Sequence, residues 1–138
     1  MGEWPDTIAA LATVPGAGAL AVIRVTGRGA FRVCGSCVCE GEAFERAEAG
    51  RIHLYTMRHP RSGRVLDRAT AIRYVGPRSY TGEDMVEILT HGGELVPSMV
   101  LEALHAAGAR QAEPGEFTRR ALRAGKMDVL SAEGMDAL

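Results

Sequence analysis

The chain has 138 residues, a formal net charge of −1 and 46% hydrophobic residues. That is enough for one soluble domain with a real core. The charge balance makes no case for a large nucleic-acid surface, a local patch aside. No apolar run has the length of a membrane span, and the acidic N-terminus Met1-Gly-Glu-Trp-Pro-Asp6 lacks an apolar signal core. A cytosolic protein with no membrane partner is expected.

In chain order, residues 7–13 and Leu20–Thr26 read as strands joined by the Pro15-Gly-Ala-Gly18 loop. The second run is nearly all apolar, as in a strand buried on both faces. Residues 27–39 predict a short helix with a ragged end, and residues 41–50 a polar, acidic loop. Residues 51–58 and 65–75 predict two strands around the turn Pro60-Arg-Ser-Gly63. Residues 85–90 form the next strand.

Residues 95–107 give the clearest helix, with Val96, Val100, Leu104 and Ala107 on one face. Pro97 falls in its first turn and Gly108 just past its end, where each does least harm. A short strand is expected within 109–113 and a helix over 118–124, closed by Gly125. Residues 131–138 begin a further helix, which leads to the expectation that the chain belongs to a longer protein. The fold class this predicts is α+β: a mixed sheet with helices packed mainly on one face.

Several motifs carry less than they promise. Cys34-Gly-Ser-Cys37-Val-Cys39 contains a Cys-x-x-Cys pair, but no second pair supplies the other two zinc ligands and His53 is isolated. Reduced cysteines at a helix end are the expectation. Gly125-Lys126 resembles the end of a phosphate-cradling loop, yet Arg120 stands at its first glycine and Met127 at its hydroxyl. Gly16-Ala-Gly18 lacks a dinucleotide fingerprint's third glycine, because Ala21 occupies that position. No nucleophile is paired with a base at a recognisable spacing, so no catalytic residue is assigned.

Two charges stand out because they sit inside apolar strands. Arg24 needs a partner if buried: an internal ion pair, the solvent at a strand end, or a ligand carboxylate or oxygen-rich ring. Glu87, in Met85-Val-Glu-Ile-Leu89, can accept two parallel hydrogen bonds. A guanidinium offers that donor pair, and so does the amino-pyrimidinone edge of a pterin. Glu87 therefore pairs with Arg24 or reads a pterin. Glu83, Asp84 and Glu116 read as loop or cap carboxylates, and His91 as a turn residue with a local hydrogen bond. The two polar, glycine-marked segments 77–93 and 114–128 flank one helix, which suggests a site assembled from both.

The motifs Asp6-Thr-Ile-Ala-Ala-Leu-Ala-Thr-Val-Pro-Gly16, Ala21-Val-Ile-Arg-Val-Thr-Gly27, Ser79-Tyr-Thr-Gly-Glu-Asp84, His91-Gly-Gly93, Pro114-Gly-Glu-Phe-Thr118 and Gly125-Lys-Met-Asp128 occur in one order. In that order and spacing they resemble the N-terminal domain of the MnmE (TrmE) family of tRNA-modification GTPases. The resemblance implies a dimer-forming domain similar to tetrahydrofolate-dependent aminomethyltransferases. It implies a bound one-carbon tetrahydrofolate such as 5-formyltetrahydrofolate, with Arg24, Glu87 and Lys126 as the folate contacts. It also implies a division into residues 1–118, for folate binding and dimerisation, and 119–138, the start of a central helical domain.

GTP, magnesium and potassium would belong to a GTPase domain that this sequence does not include, so the chain itself is expected to be a binding module. An MnmG-type flavoprotein and tRNA are the implied partners, in modification of carbon 5 of the wobble uridine. Ala17, Ala19, Leu122, Ala124 and Ser131 depart from the family's usual residues. The alternatives are a divergent aminomethyltransferase-like protein and a folate-independent dimerisation scaffold.

Overall fold

The structure is a computed structural model and describes residues 6–13, 16 and 18–125. Six strands form one sheet: β1 (Ile8–Leu11), β2 (Leu20–Thr26), β3 (Ile52–Arg58), β4 (Val65–Tyr74), β5 (Met85–His91) and β6 (Arg110–Gln111). Their order is β3-β4-β5-β2-β1-β6. All pairs are antiparallel except β1 with β6, so the sheet is mixed. Four helices accompany it: α1 (Ala30–Ser36), α2 (Gly41–Arg46), α3 (Leu95–Ala106) and α4 (Glu116–Arg123).

The alternation of side chains along each strand decides which face is covered. Ala9, Ile23, Val25, Ala69, Ala71, Val86 and Ile88 point to one face, where they pack with Val33, Cys34 and Phe44 of α1 and α2 and Val100, Ala103 and Leu104 of α3. The helices thus cover mainly one face, as the pattern predicts. In α3 the buried set is Pro97, Val100, Ala103 and Leu104, with Val96 and Ala107 only partly covered.

One element differs from the sequence reading. Residues 41–46, expected as loop, form α2. Such a short helix has little intrinsic stability and is made by its surroundings. Phe44 is buried edge-on against Tyr55. Arg73, reaching from β4, donates to the carbonyls of Phe44, Glu45 and Ala47 at 3.1, 3.0 and 2.7 Å, supplying the partners that the helix end lacks.

The other face is open, and its rows are set by register. Leu54, Thr70, Leu89 and Val22 lie opposite one another across four strands; Ile52, Ile72, Glu87 and Arg24 form the next row. Tyr74, Met85, Thr26 and Ile8 form the third row, and Thr81 covers it by a 2.6 Å bond to the Thr26 hydroxyl. The loop 77–84 therefore folds over one end of the open face and leaves the apolar rows beyond it bare. His91-Gly-Gly93 closes the other end. The Gly92 amide donates to the Ala19 carbonyl at 2.7 Å, and any Cβ on Gly92 would strike the Gly18 carbonyl.

A charged candidate site on the open face of the sheet

Arg24 and Glu87 face each other across β2 and β5. The Arg24 Nε donates to Glu87 Oε2 at 2.7 Å, and the Tyr74 hydroxyl donates to Glu87 Oε1 at 3.0 Å. Each carboxylate oxygen thus has one donor, and the carboxylate keeps about two further lone-pair sites for a ligand. Burial raises the Tyr74 phenol above its usual range, and the hydrogen bond and charge of Glu87 raise it further. It therefore stays a proton donor at neutral pH. Of the readings open for Arg24, the ion pair is present; such part-exposed pairs add only about 0–1 kcal/mol to stability, so stability alone is a weak reason for them.

The pair opens into a cleft of about 540 Å³ lined by Arg24, Tyr74, Arg78, Ser79, Tyr80, Met85 and Glu87. Its size is within the range that holds small organic ligands. The Arg24 guanidinium also lies 5.9 Å from the centre of the Tyr80 ring. A second cleft of about 550 Å³ shares Arg24 and runs along Ala10, Ala112 and residues 113–118. The two polar segments do meet here: the Tyr80 hydroxyl lies 3.2 Å from that of Thr118. Lys126, the third residue singled out from the resemblance, lies outside the described residues.

What holds the two segments together is a buried ion network. Arg120 of α4 is fully buried and donates to the Asp6 carbonyl at 3.1 Å, Asp6 Oδ1 at 3.0 Å, Glu83 Oε1 at 3.1 Å and Glu116 Oε2 at 3.2 Å. Arg110 grips Glu116 with both terminal nitrogens, at 3.1 and 2.7 Å, and its Nε binds Asp6. Glu116 heads α4 as a cap-type charge, as expected from its place, but it is also the buried hub of this network. Burial by itself would raise its pKa. The Arg110 hydrogen bonds, the Glu113 amide and the charges of Arg110 and Arg120 outweigh that and hold it at about 2.

Sequence reasoning missed Arg120 as a structural residue. The available signal was Glu116 four residues before it on one helix face. The expected domain division after residue 118 falls inside α4, whose Arg120 is tied to Asp6 and Glu83.

His91, expected as a turn residue with a local hydrogen bond, is instead the last residue of β5 and bonds across to Asp67 of β4. Asp67 accepts from the His91 amide at 2.9 Å and contacts its ring at 2.7 Å. Cys34 and Cys37 are buried in the core and Cys39 is exposed. Burial pushes the Cys34 thiol well up and takes Cys37 to about 11. Among the described residues, no three His, Cys, Asp or Glu side chains are grouped to hold a metal ion. No described helix is long and apolar enough to cross a membrane.

These features define an α+β domain with a charged, two-cleft site on the open face of its sheet. Residues 7–126 match the family model described as GTP-binding protein TrmE N-terminus. The chain is 45% identical over 133 residues to a tRNA modification GTPase MnmE of Thermus thermophilus, across 96% of this chain and 31% of the relative. It is 44% identical over 131 residues to that of Pseudothermotoga lettingae (95% and 28%) and 43% over 130 to that of Salinibacter ruber (94% and 28%). The chain belongs to the MnmE (TrmE) family and corresponds to its N-terminal domain. It spans about three tenths of the length of these relatives.

Proposed function

We propose that this chain is the folate-binding and homodimer-forming module of an MnmE-like tRNA-modification GTPase. It holds a one-carbon tetrahydrofolate, such as 5-formyltetrahydrofolate, for use by an MnmG-type flavoprotein in modifying carbon 5 of a wobble uridine. The observation that carries the reading is Glu87. It is a carboxylate set in an apolar sheet, oriented by Arg24 and Tyr74, with spare acceptor sites over a cleft of about 540 Å³. A pterin edge presents a matching pair of donors. The residues fit such a group: Glu87 would take its amino-pyrimidinone edge, and the Tyr80 ring beside Arg24 offers a face for stacking. Tetrahydrofolate supplies a carried one-carbon unit; the chain's own residues bind and orient the carrier.

Dimerisation draws support from the open face. Leu20, Ile52 and Leu54 are 55, 56 and 54% exposed there, alongside half-buried Val22, Ile72 and Leu89. A contiguous apolar row of this kind on a small domain marks an interaction surface, and a second copy meeting it by two-fold symmetry would bury the same row on both sides.

The test is calorimetric titration of 5-formyltetrahydrofolate into the wild type and Glu87→Gln. Gln keeps the shape but removes the charge and one acceptor, so affinity should fall by about 1–3 kcal/mol. Equal affinity for the two proteins would rule out Glu87 as the pterin reader.

A further inference from the structure

The cleft at Glu87 does not end at the loop. A third cleft, of about 450 Å³, is lined by Ala49, Gly50, Val75, Gly76 and Pro77, and it shares Tyr74 and Arg78 with the first. A ligand seated at Glu87 and longer than one ring system has two exits. One passes Arg24 toward residues 113–118, and the other passes Arg78 toward Gly50.

The two exits differ in charge. Along the first, Glu113 is paired with Arg119 and Glu116 with Arg110 and Arg120, while the charge of Arg24 is balanced by Glu87 through its Nε. No uncompensated cation lines it among the described residues. The second exit holds Arg78, whose exposed guanidinium makes no ion pair or side-chain hydrogen bond among the described residues. No described carboxylate lines the third cleft.

Arg78 is also carried on a fixed backbone. Its amide donates to the Val75 carbonyl at 2.9 Å, the Gly76 amide donates to Asp84 Oδ1 at 3.0 Å, and the Ser79 hydroxyl donates to the Glu83 carbonyl. A Cβ on Gly76 would lie 2.7 Å from the Gly82 carbonyl, so the two sides of the loop are in direct contact. A free, planar, two-pronged cation on a stitched loop beside a ligand cleft is suited to carboxylates.

We infer that Arg78 anchors the anionic end of the ligand, so that the site selects pterins bearing a glutamate tail, with room in the third cleft for further γ-linked glutamates. This rests on the folate reading above. The pterin end would be read by Glu87 and the tail by Arg78, two separable contacts on one elongated molecule.

The experiment titrates three probes into the 138-residue protein: 6-methyltetrahydropterin, monoglutamyl 5-formyltetrahydrofolate and its triglutamyl form. Wild type, Arg78→Ala and Arg78→Lys are compared. Loss of a charge-assisted contact should weaken both glutamyl ligands roughly ten- to hundredfold in Arg78→Ala and leave the tail-less pterin unchanged. Arg78→Lys should recover part of the loss, and added salt should narrow the gap between wild type and Arg78→Ala.

If wild type binds the tail-less pterin as tightly as the folates, the tail is not recognised; the inference fails and the folate reading stands. If Arg78→Ala weakens the tail-less pterin as much as the others, Arg78 shapes the cleft and the inference also fails. If wild type binds none of the probes, the folate reading fails and takes this one with it.

Discussion

Arg120→Met is the perturbation that probes the scaffold of the site most directly. Methionine keeps much of the buried volume and removes the charge. Arg120 has no exposed side-chain surface and reaches three carboxylates, on Asp6, Glu83 and Glu116. Without it, Glu116 keeps Arg110, and Glu83 keeps the Thr26 hydroxyl at 3.0 Å but loses its cation. Removing one partner of a buried ion pair costs about 3–5 kcal/mol because the other charge is stranded. Arg110 still compensates Glu116, so the lower end, about 3 kcal/mol, is expected, or a fall of roughly 10 °C in Tm for a domain of this size.

The assay is urea unfolding followed by circular dichroism, with a lowered midpoint and an unchanged slope. Arg120→Met combined with Glu83→Gln should recover part of the loss, because the stranded charge is gone. A loss under about 1 kcal/mol in the single variant would mean that the network is solvated, and would refute the reasoning.

The same network fixes an acid response. Glu116 has a folded pKa of about 2 against an ordinary 4.5. A lowered carboxylate contributes stability that is complete above its unfolded pKa and is lost as pH falls through its folded one. The contribution is about 3 kcal/mol, so unfolding free energy should decline between about pH 5 and pH 2. Glu116→Gln should decline less steeply over that window.

Sedimentation of the wild type at micromolar concentration should give a dimer and Leu54→Glu a monomer; a monomeric wild type would remove the dimer proposal. With folate added, Lys126→Ala should gain less in melting temperature than the wild type while its ligand-free Tm is unchanged; an equal gain would end the assignment of that lysine. Under native conditions a thiol reagent should titrate Cys39 quickly and reach Cys34 and Cys37 only on unfolding, since both are buried with raised pKa values. Fast reaction of all three would show that the α1 end of the core opens readily.

The parts of this molecule that could be read from sequence are those written in local pattern. The bounds of β2 were legible because its run is nearly all apolar, but the expectation that both its faces are buried does not hold: Leu20 is exposed and Val22 and Arg24 are only half-buried, because they lie on the face of the sheet that no helix covers. α3 was legible because its apolar period, early proline and following glycine agree. The same logic singled out Arg24 and Glu87, since a charge inside an apolar strand must answer to something across the sheet. Local pattern could not choose between their answering to each other and to a ligand.

The geometry shows why that choice is not exclusive: the pair is made through one guanidinium nitrogen and one carboxylate oxygen, and acceptor sites remain. What stayed illegible is held by distant partners. α2 exists because Arg73, some thirty residues on, supplies donors to its last carbonyls. Arg120 is buried because Asp6, 114 residues away, and Glu83 converge on it. The one local clue to Arg120 was Glu116 four residues before it, and nothing beside Arg73 in sequence points to the carbonyls it meets. In a chain whose charges nearly cancel, where each cation ends up is set by the sheet order, which brings β1, the 77–84 loop and α4 to one end. That leaves Arg24 answered by Glu87 and Arg120 by three carboxylates, and, among the described residues that line the cleft, Arg78 as a cation without an ion pair.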